Sequence, residues 1–465
     1  MNNKILKLEE FLFARPLEQV VAIDGRGRIR TRKNLRSDTA RLLKTLLGAG
    51  GSRCVLVFED SYLFAVALLA CLYARKIPVL LGTHQISRIT QHSCLYDVVL
   101  TDSRTPQELG GTVIVVDAAE RADVPLPEER LRHISLAGSW IRMYTSGSTG
   151  ANKEVKKYIR DLNREAVFTC THFGERLKDC LLCSSIYPNH LYGLTFRIFM
   201  PLALGVTFYA GLVHYTEQLC GIRGEPPLAF VSSPAFLKRV DTALKSPELR
   251  FILSAGGRLD FDCAQSICHW SGCHVDEIFG STESGVIAWR CNDSEGRLWH
   301  LFDDIEIEER PDVFVLKSPL VTVEGGGEFL LDDRVRMHGT REFELLGRID
   351  QVVKLEDIRI SLDEVRHALL SFEGVSDCEV VPLEKGNRTS LGALLVLNPL
   401  LQQRLLQECG EAYLPELERR LKRWLQNRID ALAVPRYFLV VKEIPVNQLN
   451  KRVVSELQRL FYAPS

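Results

Sequence analysis

The chain has 465 residues, 46% of them hydrophobic and 25% charged, a balance that excludes a disordered or fibrous protein. One hydrophobic core rarely serves so long a chain, so at least two domains are expected. A formal net charge of −1 gives no global attraction to nucleic acid or to an anionic membrane, and neither is expected as a partner.

The first residues, "MNNKILKLEEFLFARPLEQ", carry only a short, interrupted apolar stretch and do not read as a signal peptide. The longest apolar run, "LFAVALLACLYA" from Leu63 to Ala74, is about 12 residues against the ~20 that a membrane helix needs. No membrane insertion is expected, and the location is expected to be cytoplasmic. Thirteen scattered cysteines suit a reducing compartment. Cys180 and Cys183 form a CxxC without a second pair, and Cys263, Cys268, Cys273 and His274 cluster on a helical pattern. Both sets read as structural thiols, with no zinc site expected.

From Arg53 to about Asp304, strand-like runs such as "RCVLVFED", "IPVLLG", "YDVVLTD" and "TVIVVD" alternate with longer helical patterns. The alternation returns in "LLCSSIY", "VTFYAG", "LAFVSSP" and "RFILSAGG". This order predicts an α/β fold of parallel sheets covered by helices, with ligands beyond the carboxyl ends of the strands. After about Leu298 short alternating runs ("IEIEE", "VFVLKS", "EFLLDD") predict a β-rich subdomain with antiparallel strands. Near "LLGRIDQVVK" the pattern changes again, to the helix "SLDEVRHALLSF", the strands "CEVVPL" and "LGALLVL", the charged helix "LPELERRLKRWLQNRI" and the strand "RYFLVVK". A large domain over 1–347 and a small α+β domain over 348–465 are therefore expected.

Between the strand pattern "SWIRMY" and the pattern "VKKYIRDLNREAVF", read as a helix, lies "TSGSTGANK". A strand, a glycine-rich loop and a helix in that order can converge backbone N–H groups on an anion. Gly147 and Gly150 permit the turns, Thr145, Ser146, Ser148 and Thr149 offer hydroxyls, and Lys153 offers a charge; the alternative is a plain Ser/Gly linker. The Walker pattern fails, because Asn152 stands where glycine is needed and Glu154 where a hydroxyl is needed. The GxGxxG pattern is absent as well, and "GAGGSR" follows a helix where it would have to follow a strand.

"YTSGSTG" followed by lysine resembles the phosphate loop of the acyl-adenylate-forming superfamily of acyl-CoA synthetases, luciferases and peptide-synthetase adenylation domains. Further matches follow in that superfamily's order. "YPNHLYG" resembles its PxHxxG segment, which implies that His190 borders the acyl pocket. "SAGGRL", with Gly256 and Gly257, resembles the turn beside the adenine. "IFGSTESG" resembles the GxTE core, which implies Gly280 and Ser281 near the nucleotide, Thr282 near the α-phosphate and Glu283 on magnesium. "FLLDDRV" resembles the segment whose aspartate, here Asp333, holds the ribose. "LLGRIDQVVK" resembles the hinge segment, which implies Arg348 on the ribose or phosphates and Asp350 as the pivot of a mobile small domain. "IPVNQLNKRVV" resembles the last motif, with Lys451 as the lysine of adenylation.

The resemblance implies ATP and magnesium, a carboxylic acid substrate, and coenzyme A or the phosphopantetheine of an acyl carrier protein as acceptor. Tyr192, Phe196 and Trp289 are expected walls of the acid pocket, suited to an aryl or medium-chain acid or to ordinary core packing. Asp357 stands where the superfamily has a glycine beside its thiol tunnel; a side chain there disfavours free coenzyme A. "EDIRISLDEV" is similar to ligases of fatty-acid-like and aryl polyene pathways, which points to a carrier protein. A conventional acid–CoA ligase and a noncatalytic nucleotide-binding homologue remain as alternatives.

Overall fold

The structure is a computed structural model. It describes residues 4–14, 16–83, 85–102, 109, 111–118, 138–146, 152–222, 226–257, 259–293, 298–311, 313–321, 327–348, 352–355, 358–385, 388–426, 428–446 and 452–462. The chain divides into two compact units. The first comprises Met1–Glu308, Val315–Phe329 and Met337–Phe343, and the second Glu309–Phe314, Leu330–Arg336 and Glu344–Ser465. The division falls within five short strands between 306 and 348.

The expected helix-covered parallel sheets form the first unit. In one of them the strands lie in the order Thr112–Val115, Val98–Thr101, Arg53–Val57, Ile77–Leu80, Trp140–Ser146 and Asn152–Tyr158. All neighbours are parallel except the last pair. A second sheet runs Trp299–Leu301, Gly285–Cys291, Val275–Ser281, Leu249–Ser254, Leu228–Ser232, Leu181–Ser184, Phe208–Tyr209, Val20–Ile23 and Ile29–Thr31. It is parallel from Val275–Ser281 through to Val20–Ile23 and antiparallel at both ends.

Local chemistry explains where these elements begin. The apolar run at 63–74 becomes the helix Ser61–Tyr73, started by Asp60, whose carboxylate accepts the Leu63 N–H. Every residue of that helix but Leu63 is buried, so it is apolar on all sides and acts as core. Among the described residues no helix is long and apolar enough to cross a membrane. All thirteen cysteines are free thiols, and Cys180 and Cys183 are buried beside and within the strand Leu181–Ser184.

One local expectation is corrected. The residues after the glycine-rich loop, "NKEVKKY", form a strand, and the helix begins only at Ile159. The period of two decides this: Val155 and Lys157 are buried on one face, while on the other Glu154 accepts from the Tyr144 hydroxyl and Lys156 lies over the Trp140 ring. The helix Ile159–Leu177 then buries Ile159, Leu162, Ala166, Phe173 and Leu177 as one stripe.

In the second unit, Val375–Lys385 and Arg388–Leu397 pair antiparallel, and Tyr437–Val440 joins the latter in parallel. The helix Leu414–Gln426 turns Leu417, Leu421 and Leu425 inward and its charges outward. A helix absent from the expectations, Pro399–Cys409, is started by Asn398, whose side chain accepts the Leu401 N–H. After Lys451, Arg452 is clamped by Asp377, by Glu379 at 2.8 Å and by the Cys378 carbonyl.

Candidate nucleotide and acid site

The segment "GSTESG" is the turn between the antiparallel strands Val275–Ser281 and Gly285–Cys291. Ser281 opposes Gly285, which leaves Thr282, Glu283 and Ser284 as the turn. A Cβ at Gly280 would lie 2.3 Å from the Gly285 carbonyl oxygen, so the strands approach too closely for any side chain there. Ser281 and Ser284 hold the turn reciprocally, each hydroxyl accepting the other's main-chain N–H at 3.1 Å. Thr282 and Glu283 are left half-buried at the tip.

Two lysines of the strand Asn152–Tyr158 reach this turn from the same face. Lys153 Nζ lies 2.8 Å from Glu283 Oε1, and Lys157 Nζ donates to the Glu283 carbonyl oxygen at 2.9 Å. Burial by itself would raise the Glu283 pKa. The hydrogen bond and charge of Lys153, together with main-chain and Ser281 hydrogen bonds, outweigh it and hold the carboxyl below its usual range. Lys157 is 1% exposed, and desolvation lowers its pKa against the pull of Glu165 and Asp161. Glu165, also buried, is pushed up to about 7 by desolvation, opposed by the Lys157 charge and the Val286 N–H.

Thr145 and Ser146 end the strand Trp140–Ser146, opposite Lys153 and Asn152. The phosphate-loop positions therefore join two antiparallel strands; Gly147, Ser148, Thr149 and Gly150 themselves lie outside the described residues. Gly256 and Gly257 are exposed after the strand Leu249–Ser254, with Gly256 at φ +87. The His190 ring packs against Gly82, in the loop after Ile77–Leu80, and Asn189 beside it donates to the Thr83 carbonyl at 2.9 Å.

Tyr192 and Phe196 sit on one continuous helical stretch, with ring centroids 5.2 Å apart. The Tyr192 hydroxyl lies 3.0 Å from the Ser232 and 3.1 Å from the Leu253 carbonyl oxygens. Trp289 stands apart from this pair: it stacks between His172 (4.0 Å) and His300 (4.8 Å), and Phe173 lies between His172 and Phe196. Desolvation and the Arg176 charge hold His172 below its ordinary pKa. In the second unit, Asp333 opens the strand Asp333–His338 and Arg348 closes Glu342–Arg348. Asp350, Asp357 and Lys451 lie outside the described residues.

The structure thus gathers Lys153, Ser281, Thr282 and Glu283 at one turn, and Tyr192 with Phe196 at another place. It adds Lys157 and Glu165, which the sequence reading missed because it took residues 155–158 for the start of a helix. The visible signal was the alternation Lys153, Val155, Lys157.

The chain is a member of the acyl-adenylate-forming superfamily. The AMP-binding enzyme family matches residues 14–305, and the chain belongs to it. The chain is 27% identical to phosphinothricin tripeptide synthetase PhsC of Streptomyces viridochromogenes, over 72% of this chain and 32% of that protein. It is 25% identical to the 4-coumarate–CoA ligase of Halorhodospira halophila, over 67% of this chain and 75% of the ligase. The chain thus spans about a third of PhsC, and 18% of a second peptide-synthetase relative, a mycosubtilin synthase protein of Bacillus subtilis. Its fold is that of ATP-bound MatB from Rhodopseudomonas palustris, at TM-score 0.79 and 15% identity, covering 98% of each chain.

Proposed function

We propose that this protein joins a carboxylic acid to AMP at the expense of ATP and then passes the acyl group to a pantetheine thiol. The observation that carries the reading is Glu283, a half-buried carboxylate kept ionised at the turn and paired with Lys153 from the strand that follows the glycine-rich loop. A magnesium nucleotide needs both groups, an oxygen anion for the cation and a cation for the phosphates. Without ligand each neutralises the other.

In the first step the acid's carboxylate oxygen bonds to the α-phosphorus, and the bond from that phosphorus to the bridging oxygen of the β-phosphate breaks. Pyrophosphate leaves with the electron pair, and acyl-AMP remains. Glu283 would hold magnesium, whose charge would offset, with the Thr282 hydroxyl at the α-phosphate, the negative charge that gathers on the phosphoryl oxygens. Lys153 faces the phosphates, and Lys451 supplies the ammonium for the α-phosphate, with Asp333 and Arg348 on the ribose. In the second step the thiolate sulfur attacks the acyl carbon, the bond to the AMP oxygen breaks, and AMP departs. The small domain turns about Asp350 between the steps, withdrawing Lys451.

The acid would be aryl or medium-chain, with Tyr192 and Phe196 as walls of its pocket, and the 4-coumarate–CoA ligase is a relative that acts on an aryl acid by name. Asp357 and the similarity to a peptide synthetase favour a carrier protein as acceptor, whereas the 4-coumarate ligase favours coenzyme A. The test is mass spectrometry of acyl-AMP after incubation with ATP, magnesium and a pooled panel of aryl and fatty acids, with Lys451→Ala beside the wild type. An adduct lost in the variant, while transfer from supplied acyl-AMP to a carrier protein or coenzyme A persists, is the expected result. Equal loss of both steps refutes the alternation of domains.

A further inference from the structure

The strand Asn152–Tyr158 grips Glu283 at both ends. Its exposed lysine, Lys153, meets the carboxylate, and its buried lysine, Lys157, meets the main-chain carbonyl of the same residue. Only the first contact is explained by a nucleotide site. The second is made by a cation enclosed in protein, an arrangement that desolvation makes costly unless the charge is paired.

Glu165, in the second turn of the helix Ile159–Leu177 and 2% exposed, is the leading negative charge acting on Lys157, with Asp161 second; neither lies in salt-bridge contact with it among the described residues. Glu165 also faces the other limb of the turn. Glu165 Oε2 lies 3.4 Å from where a Cβ on Gly285 would stand. The buried lysine thus holds the carbonyl at Glu283, and the buried glutamate packs against the other limb at Gly285. Between them they bear on the main chain on both sides of the turn tip.

We propose that Lys157 and Glu165 form a buried brace that sets the position of the Glu283 carboxylate, and so act as positioning residues for the divalent cation bound with the nucleotide. Hydrophobic side chains of similar volume would relieve the cost of burying the two charges, which offsets part of what is lost when the Glu283 carbonyl loses its donor. They could not hold the turn, because that carbonyl would have no donor from the strand. The inference rests on the reading of Glu283 as the magnesium carboxylate.

The test uses the full-length protein and three variants, Lys157→Met, Glu165→Gln and the double Lys157→Met/Glu165→Met. Two readouts are taken: amide hydrogen exchange between Glu283 and Val286 in the ligand-free protein, and the gain in ATP affinity on replacing EDTA by magnesium. Each single variant leaves one charge buried alone and is expected to lower the urea midpoint; if one fails to fold, the double variant carries the test. The double variant is expected to recover part of the stability lost in the single variants, yet to exchange faster at 283–286 and to lose about tenfold of the magnesium-dependent gain, with ATP affinity in EDTA unchanged. Wild-type exchange and an unchanged magnesium gain in a stable double variant would overturn the brace. If the wild type itself gains nothing from magnesium, the reading of Glu283 is at fault, and hydrogen exchange alone decides whether the brace exists.

Discussion

Arg197 offers a severe test of how the helical stretch of Tyr192 and Phe196 is held. Its guanidinium is fully buried on the same helical stretch as Tyr192 and Phe196, and burial pushes its pKa down to about 10, so it stays charged at neutral pH. It donates to the carbonyl oxygens of Ile186 at 2.7 Å, Gly211 at 2.8 Å, Ala210 at 2.9 Å and Glu59 at 3.3 Å. Three loops that approach this helical stretch from different strands thus share one cation. Arg197→Met keeps much of the volume and takes this donor from the Ile186, Gly211 and Glu59 carbonyls, while Ala210 keeps the Ser61 N–H, at about 1–3 kcal/mol for each one left unpaired that water cannot reach. Relief of the buried charge offsets part of that, so a net loss of about 3–5 kcal/mol is expected. The assay is equilibrium urea unfolding, with Arg197→Lys as comparison, since an ammonium can satisfy some of the carbonyls but lacks the planar fork. A loss below about 1 kcal/mol for Arg197→Met would refute the reasoning, for it would mean that the loops hold their places without the guanidinium.

Three further outcomes are expected. Asp102 accepts N–H groups from Glu59 and Asp60, but burial and the Asp60 charge raise its pKa from 3.8 to about 6. The folded protein therefore keeps a proton that the unfolded chain has shed, and stability falls as pH rises from about 4 to about 6, by about 2–3 kcal/mol, then levels. Asp102→Asn should flatten that slope in urea midpoints taken at about pH 4.5 and about pH 7, near the ends of this window; an unchanged slope would exclude Asp102 as its source. In "YPNHLYG" a Cβ on Gly193 would stand 2.0 Å from the Tyr187 carbonyl oxygen, so Gly193→Ala should cost about 2–4 kcal/mol by forcing the turn open, whereas Gly48→Ala, with nothing within 4 Å, should be neutral. Equal melting temperatures for the two would contradict the geometry. In the second unit, Arg452→Ala leaves Asp377 and Glu379 facing each other without a cation; a loss of about 2–4 kcal/mol in unfolding is expected, and Arg452→Lys should recover part of it. Equal unfolding of wild type and Arg452→Ala would show that the clamp contributes nothing.

Much of the fold was legible because its signals are local. The runs "RCVLVFED", "LAFVSSP" and "RFILSAGG" are short, apolar and bounded by turn residues, and each became a strand of a parallel sheet. In the second unit "LPELERRLKRWLQNRI" read as a helix, since Leu417, Leu421 and Leu425 recur every fourth residue, whereas the helix Pro399–Cys409 went unread. What failed was a choice of period at a boundary. "NKEVKKY" is rich in lysine, a good helix former, and only its buried alternation with Val155 makes it a strand. The pairing of Val20–Ile23 with Phe208–Tyr209 was illegible, because nothing in four apolar residues names a partner so far along the chain.

The missed strand also explains why the site was only half read. A motif match delivers residues that would touch a ligand, and so it delivered Glu283, Thr282 and Lys153. It says nothing of what holds those residues in place, because that work falls to whichever neighbours the local chain makes available. Here the neighbours are Lys157 and Glu165, and both lie on elements whose faces are fixed by the strand-to-helix change at Ile159. With the helix begun at Val155, Lys157 to Glu165 would span two helical turns on the surface of one helix, and a salt-bridged solvent face would be the natural reading. Ending the strand at Tyr158 turns Lys153, Lys157 and Glu165 into a grip on one turn, with Lys157 inside the protein. The chemistry of the site thus depends on a boundary that propensity alone places wrongly, and burial, which only the fold supplies, is what corrects it.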